Sequence, residues 1–308
     1  METIALIRTL PKRVLAIAAA AAFAAGAALL IARGPVPGSA TAAGDAFGGL
    51  SNAGTGSLTI GLPAAAAERI YAAPGARGRP IVVIDPGHGG HDPGARSPTD
   101  ALAEKELALT LARELRDALV KRGRVRVAMT RDDDRYLSLE ERAAVARRLG
   151  AGLFVSLHMD SAPNPLARGA SVYSLSDVAS DAEAARFASD ENRGAAREGA
   201  LSDPVAAVLS DLAMRTQMGA SADFAARLVT KATGRVGMRP DPHRFAAFHV
   251  LRRSGTPAVL VEAGYLSNAE DEVLLRSPAW RAALVAALAA AIEADIAAQS
   301  VRAARAAR

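Results

Sequence analysis

The chain has 308 residues, with 37 lysines and arginines, 32 aspartates and glutamates, no cysteine and a formal net charge of +5. Half of the residues are apolar, which excludes a disordered chain. The lack of cysteine excludes disulfides, thiolate zinc sites, iron–sulfur clusters and cysteine nucleophiles. The excess charge lies at the ends, because residues 1–43 and residues 302–308 each carry +3 and the remainder carries −1. A nearly neutral body with 4% aromatic residues argues against binding to nucleic acid.

The N-terminus has the layout of a secretory signal. Three basic residues lie within the first 13 positions, residues 14–31 form an unbroken apolar run, and Ala40 and Ala42 fit a small-residue cleavage site. We expect residues 1–43 to direct export to the periplasm as a signal peptide. Because the run is long enough to span a bilayer, they could instead remain as an inner-membrane anchor. Residues 44–78, rich in glycine, alanine and serine, predict a flexible linker.

Strands and helices alternate along the body of the chain. Short β-branched or apolar runs predict strands at residues 81–84, 125–129, 153–157, 169–174, 248–251 and 258–261. Amphipathic spacing predicts helices at residues 104–121, 138–149 and 280–296, the second starting with a capping box of Ser138 and Glu141. This alternation indicates an α/β fold with a single mixed, largely parallel sheet flanked by helices.

Polar side chains follow three of the predicted strands. His88 lies in a glycine-rich turn after the first strand, His158 follows the third and Glu262 follows the last. The carboxyl ends of strands are where open α/β sheets build their sites, and two imidazoles with a carboxylate suit zinc. Glu104 starts the helix after the turn and can reach the same pocket. That leaves two glutamates for two roles, a metal ligand and a residue that transfers protons.

Four sequence motifs resemble one enzyme family. They are Asp85-Pro-Gly-His-Gly-Gly with Asp92-Pro-Gly-Ala, Glu104-Lys105, Ser156-Leu-His-Met-Asp160, and Val261-Glu-Ala-Gly-Tyr-Leu-Ser-Asn268. Together they are similar to the zinc-dependent N-acetylmuramoyl-L-alanine amidases, which are cell-wall hydrolases. The resemblance covers about residues 79–297 and implies a catalytic domain at 79–298, followed by a basic tail at 299–308.

The resemblance also implies residue roles. One Zn²⁺ ion would be bound by His88, Glu104 and His158, and Glu262 would be the catalytic residue. The substrate would be peptidoglycan, cut at the amide between N-acetylmuramic acid and L-alanine. Asp85 and Asp160 would orient the ligands or stabilise the turns from behind them.

Residues 176–240 are predicted as a helical insert. They resemble the extra region of the cell-division subgroup of these amidases, in which a helix covers the zinc site until a LytM-type activator displaces it. The resemblance implies an autoinhibited enzyme of daughter-cell separation. Glu191, or as second candidate Glu183, would be the inhibitory ligand, although a solvated helical face is an equally valid interpretation of either glutamate.

Two other functions remain open from the sequence. A different zinc peptidoglycan hydrolase, a carboxypeptidase, would need an arginine for a terminal carboxylate, and no arginine stands out. A non-catalytic wall-binding or activator protein would have lost its site, whereas His88, Glu104, His158 and Glu262 are all present. Nothing in the sequence indicates an oligomer, so we expect a monomer.

Overall fold

A computed structural model describes residues 68–193, 195 and 204–306. The predicted export segment and most of the predicted linker lie outside these residues. The strands are β1 (Ile70–Tyr71), β2 (Ile81–Pro86), β3 (Arg126–Met129), β4 (Leu153–His158), β5 (Ala170–Leu175), β6 (Met238–Ala246) and β7 (Ala258–Glu262). The helices are α1 (Glu104–Arg122), α2 (Leu139–Arg148), α3 (Ala182–Glu191), α4 (Pro204–Ala232), α5 (His249–Arg253), α6 (Ala269–Arg276) and α7 (Pro278–Ala306).

The described strands form one seven-stranded sheet in the order β1–β3–β2–β4–β7–β5–β6. The central strands β3, β2, β4 and β7 are parallel. Towards the edges, β1 pairs antiparallel with β3, β5 pairs antiparallel with β7, and β6 pairs parallel with β5. The predicted mixed, largely parallel sheet is confirmed.

Helices cover both faces of this sheet. One face buries α1, α4 and α7, and the other buries α2, α3 and α5. Representative buried side chains are Leu111, Phe224 and Leu288 on the first face, and Val145, Phe187 and Leu251 on the second. Because both faces of the sheet are covered, the central strands read as continuous apolar runs, as their sequences predicted.

Helix α1 ends, and helix α2 begins, as their sequences indicate. In α1 the leucines one turn apart are buried, and Gly123 ends the helix in the left-handed region at φ 69°. In α2 the predicted capping box is present, since the Ser138 hydroxyl accepts from the Glu141 N–H and the Glu141 carboxylate accepts in return from the Ser138 N–H.

Among the described helices, one (α7) is long and apolar enough to cross a membrane by length and composition. Half of its most apolar stretch is buried, and Leu284, Leu288 and Ile292 pack into the core, so it is a core helix here. It continues through Ala306. Residues 299–306 of the predicted basic tail are therefore helical, as their alanines and arginines favour.

Three other predicted boundaries are corrected. Residues 248–251 are not a strand: Phe248 precedes α5 as its N-cap and the next three residues begin the helix. A short, mainly apolar segment fits a buried strand and a buried helical turn equally well. The sequence did not predict strand β6, which starts at Met238, so the predicted helical insert ends at residue 237. This strand is polar, contains Pro240 and Pro242, and lies at the sheet edge, where proline is tolerated. Within the predicted linker, β1 extends the sheet beside β3.

Candidate metal centre

The site is built where three neighbouring parallel strands end. Pro86 of β2 lies opposite Leu157 of β4, and His158 of β4 lies opposite Glu262 of β7. His88 follows two residues after β2. The strand order therefore brings together the three polar groups that the sequence placed at strand ends.

The turn after β2 depends on glycine. The backbone of His88 has a positive φ of 56°, a value that residues other than glycine rarely adopt. Such residues cluster at functional sites. A Cβ at Gly87 would lie 2.5 Å from the His158 ring. A Cβ at Gly94 would lie 2.5 Å from both the Glu104 carboxylate and the His88 ring. Glycine at these two positions is what lets the histidines and the glutamate approach each other.

Glu104 lies between the two histidines. Its Oε1 is 3.1 Å from His158 Nδ1 and its Oε2 is 3.2 Å from His88 Nε2. The backbone N–H groups of Met159 and Ala95 donate to the same two oxygens. Burial alone would raise the pKa of Glu104, but the attraction of His88 and hydrogen bonding to His158 hold that pKa well below its usual range. The carboxylate is thus ionised and fixed in place.

His88 is oriented by a carboxylate that the sequence analysis quoted in a motif without giving it a role. Nδ1 of His88 lies 2.9 Å from Asp92 Oδ2, and this contact directs Nε2 towards Glu104. Nε2 is buried and has no hydrogen-bond partner among the described residues. A metal-binding histidine has this arrangement, with one nitrogen held by a carboxylate and the other directed at the remaining ligands. The sequence feature that could have identified Asp92 as the partner of His88 is a carboxylate four residues after a histidine in a tight turn.

Glu191 faces the same two histidines. It is the last residue of α3, and its carboxylate lies 3.7 Å from His88 Nε2 and 3.5 Å from His158 Nδ1. Three ligand atoms, one from each of His88, His158 and Glu191, lie within 4.8 Å of one another. This spacing can hold a metal ion. The attraction of Glu191 and Glu104 outweighs burial and raises the pKa of His158.

Glu183, the second candidate for the inhibitory ligand, does not reach the site. It accepts two hydrogen bonds from Arg239, at 2.7 and 3.0 Å. Glu183 lies two turns before Glu191 on α3, and its hydrogen bonds with Arg239 anchor the helix to β6. Its proposed place at the metal is wrong.

Glu262 is fully buried at the end of β7. Its Oε2 accepts from the Asp160 N–H at 2.9 Å, and its Oε1 has no partner among the described residues. Burial, with repulsion from Asp160 and Glu104, raises the pKa of Glu262 well above its usual range. Burial likewise raises the pKa of Asp160 to about 7. Asp160 contacts Glu262 through its backbone, which fits a supporting role behind the reacting groups.

Asp85 is buried beneath the turn. It accepts hydrogen bonds from Thr130, Ser156 and Arg142 at 2.6 to 2.9 Å. Burial would raise the pKa of Asp85, but the charge of Arg142 and these donors lower it. Asp85 was predicted either to orient the ligands or to stabilise the turn, and these hydrogen bonds match the second role.

A cleft of about 670 Å³ opens over this cluster. Its walls include His88, Glu104, His158, Asp160 and Glu191, whereas Glu262 lies beneath the surface. His91, taken from the sequence as a loop residue near the rim, also lines the cleft, stacked on Tyr136 with ring centroids 4.2 Å apart. Two imidazoles and two carboxylates, of Glu104 and Glu191, therefore face one another in the cleft, and those of His88, His158 and Glu191 are spaced to hold a metal ion.

Comparison with known families identifies the same region. Residues 82–294 match the family described as N-acetylmuramoyl-L-alanine amidase. The match includes every residue of the cluster and all of the central strands except the first residue of β2.

Two curated relatives illustrate the sequence similarity. N-acetylmuramoyl-L-alanine amidase AmiC of Neisseria meningitidis serogroup B is 35% identical over 223 residues, which cover 70% of this chain and 52% of the relative. N-acetylmuramoyl-L-alanine amidase AmiA of Escherichia coli K12 is 34% identical over 217 residues, covering 69% of this chain and 74% of the relative. This chain spans about half the length of several curated relatives it matches.

Solved structures share the fold. The catalytic domain of CwlV, an amidase from Bacillus (Paenibacillus) polymyxa var. colistinus, matches with a TM-score of 0.50 at 27% identity, covering 69% of this chain and 96% of that one. Amidase AmiC2 of Nostoc punctiforme matches with the same TM-score and identity, covering 70% and 96%.

Proposed function

This chain belongs to the N-acetylmuramoyl-L-alanine amidase family, and we propose that it hydrolyses the amide between N-acetylmuramic acid and L-alanine in peptidoglycan. The observation that carries this proposal is the Glu104 carboxylate held between His88 and His158, next to the buried Glu262. A carboxypeptidase would need an arginine facing the ligand cluster, and among the residues that the structure describes the cleft is lined by two arginines, Arg142 and Arg193. Arg142 is committed to Asp85 and to backbone carbonyls, and Arg193 pairs with Asp190.

His88, Glu104 and His158 are the residues that would hold zinc. The fit rests on the buried Nε2 of His88, which has no hydrogen-bond partner in the described structure, and on the ionised Glu104 between the rings. When bound, zinc polarises the scissile carbonyl and lowers the pKa of the attacking water. The protein contributes the spacing of the three ligands and the orientation of His88 by Asp92.

Glu262 is the proposed proton carrier. Its pKa is raised well above the usual range, so it can accept a proton from the attacking water and later release it. It then donates that proton to the nitrogen of L-alanine as the C–N bond breaks. The second proton of the water passes from the new carboxyl group to the same nitrogen, so the products are a lactyl carboxylate and an L-alanine ammonium group, and Glu262 returns to its starting state.

Glu191 is the proposed inhibitory ligand. Its distances of 3.5 and 3.7 Å from the two histidines support a carboxylate that occupies the fourth zinc position and excludes water and substrate. The Asn192 side chain holds this end of α3 in place, since it donates to the Ala247 carbonyl and accepts from the His249 N–H. Displacement of α3 would open the cleft above Glu262.

A LytM-type activator is the proposed partner that displaces α3, in daughter-cell separation. The insert that carries Glu191 also exposes three apolar side chains on α4, with 54–68% of Val208, Leu209 and Leu212 accessible. A partner bound to this strip is connected to α3 by only a short stretch of chain. The prediction is that the activator stimulates the wild type and has little further effect once Glu191 is removed.

The proposed location is the periplasm, reached through the export signal in residues 1–43. The basic start and apolar run of that segment support it. N-terminal sequencing of the protein purified from cells would separate a cleaved signal from a retained anchor.

Digestion of purified sacculi, followed by mass spectrometry of the products, tests the proposed activity. The Glu191→Ala chain should release peptides that begin with a free L-alanine amine, and chelation or Glu262→Ala should stop the release. Release of a C-terminal amino acid would support the carboxypeptidase instead. Activity that survives both chelation and Glu262→Ala would overturn the mechanism, and binding to sacculi without products would support a wall-binding protein.

A further inference from the structure

Two buried arginines lie directly beneath the His88 turn. Arg131 is 0% exposed and Arg142 is 4% exposed. Arginine is rarely buried without carboxylate partners, whereas the hydrogen bonds that Arg131 makes within the described part of the chain go to four backbone carbonyls and to no carboxylate. Burying a guanidinium is costly, so this arrangement calls for a role that a packed apolar side chain could not fill.

The carbonyls they bind belong to the turn that carries His88. Arg131 donates to the carbonyls of Pro86 at 3.1 Å and Gly87 at 2.6 Å. Arg142 donates to the carbonyls of Pro86 at 2.7 Å and His88 at 2.6 Å. Three successive carbonyls are therefore fixed, which holds His88 at its unfavourable φ of 56°.

Arg131 also connects this turn to the other metal-binding element. The Nη2 that binds the Gly87 carbonyl donates to the Lys105 carbonyl at 3.0 Å. Lys105 directly follows Glu104 at the start of α1. One guanidinium nitrogen therefore joins the backbone beside His88 to the backbone beside Glu104.

We propose that Arg131 and Arg142 are positioning residues that set the spacing between His88 and Glu104, and so the affinity of the site for zinc. The inference rests on the zinc site proposed above. Neither arginine reaches the substrate or the reacting atoms through the contacts described. Arg131 ties the turn to α1, and Arg142 ties it to Asp85 and α2.

Lysine is the informative replacement for either arginine. It keeps the positive charge, but a single ammonium group cannot reproduce the planar fork that reaches several carbonyls at once. Arg131→Lys should therefore relax the turn without leaving the carbonyls facing an apolar group.

A matched control is available in the same protein. Arg281 is also buried and also binds two backbone carbonyls, of Leu275 at 3.0 Å and Arg276 at 2.9 Å, together with the Glu114 carboxylate. It anchors α7 to the middle of α1, ten residues after Glu104. Arg281→Lys tests the loss of a buried guanidinium clamp away from the ligand cluster.

The experiment measures the dissociation constant for Zn²⁺ by competition with a chromophoric chelator, alongside the melting temperature of each full-length protein. Arg131→Lys should weaken zinc binding by about 10- to 100-fold, as loss of partners behind metal ligands typically does. Arg281→Lys should lower the melting temperature comparably and leave zinc affinity unchanged. Visible absorption of the Co²⁺ form should change for Arg131→Lys only, because it reports ligand geometry.

Equal zinc affinities for Arg131→Lys, Arg281→Lys and wild type would overturn the inference and leave both arginines as structural. If Arg131→Lys does not fold, Arg142→Lys takes its place with the same expected direction, and wild-type affinity in that variant would overturn the inference equally. A wild-type protein that binds no zinc would refute the metal site itself, and this inference with it, which distinguishes the two failures.

Discussion

The carboxylates Glu104 and Glu191 face the same two histidines but are held in different ways. Glu104 is 1% exposed, and each of its oxygens accepts a backbone N–H in addition to contacting a histidine. The Glu191 side chain is 14% exposed and contacts the histidines at longer distances, from the end of a ten-residue helix. The fixed carboxylate belongs to the core of the fold, and the other belongs to an insert on its surface.

This difference underlies our proposal that one metal site carries both a permanent ligand, Glu104, and a removable ligand, Glu191. Glu104 cannot leave without giving up the N–H groups of Ala95 and Met159 as well as both histidines. Glu191 can leave if the contacts of α3 are given up, chiefly the Asn192 hydrogen bonds, the Glu183–Arg239 pair and the packing of Phe187 against Tyr173 and Phe248. Substitutions of the permanent groups should therefore change hydrolysis or zinc binding more than substitutions of the removable ones.

Glu262→Gln should have the largest effect on catalysis. The amide keeps the shape and the hydrogen bond from Asp160 but cannot carry a proton. The hydrolysis rate in the Glu191→Ala background should fall by about 10²- to 10⁴-fold, the range contributed by a positioned acid–base residue. Zinc affinity, measured in the same samples, should stay unchanged, and a fall in zinc affinity instead would make Glu262 a ligand.

Glu104→Ala should abolish tight zinc binding. The loss should exceed the roughly 10- to 100-fold that partners behind a ligand typically cost, because a direct ligand and the contact between both histidines are removed. Equilibrium dialysis with metal analysis measures it. Retention of one zinc per chain at wild-type affinity would show that the fixed and removable carboxylates had been assigned the wrong way round.

Glu191→Ala should raise basal hydrolysis of purified sacculi. If α3 covers the site in 90 to 99% of molecules, its release should raise the rate by about 10- to 100-fold. The control is Asp190→Ala, the neighbouring carboxylate, which pairs with Arg186 and Arg193 and not with the histidines. Unchanged basal activity together with an unchanged requirement for the activator would remove Glu191 from the inhibitory role.

Asn192→Ala should have the smallest effect, in the same direction. It removes the two hydrogen bonds that hold the end of α3 to the segment before α5, each worth about 1 kcal/mol. Together their loss shifts the equilibrium about 30-fold towards the open form, so with α3 closed in 90 to 99% of molecules we expect the basal rate to rise by about 8- to 23-fold, less than for Glu191→Ala. A rate below that of the wild type would mean that α3 supports activity.

The sequence was sufficient to predict the strand-end part of the site. His88, His158 and Glu262 each follow a strongly apolar run, and parallel strands end at one edge, so their convergence followed from topology. The roles of Arg131 and Arg142 could not be predicted, because their partners are backbone carbonyls that no side-chain pattern reveals. The strand β6 was missed for a related reason, since its pairing at the sheet edge outweighs a polar, proline-containing sequence.

The most direct test of the two-carboxylate account is a crystal structure of the zinc-loaded protein, with zinc located by anomalous scattering. The account predicts one zinc ion within bonding distance of His88 Nε2, His158 Nδ1, Glu104 and Glu191, and in Glu191→Ala the same ion with the first three ligands only. Zinc bound without Glu104, or with Glu191 turned away from it in the wild type, would contradict the account.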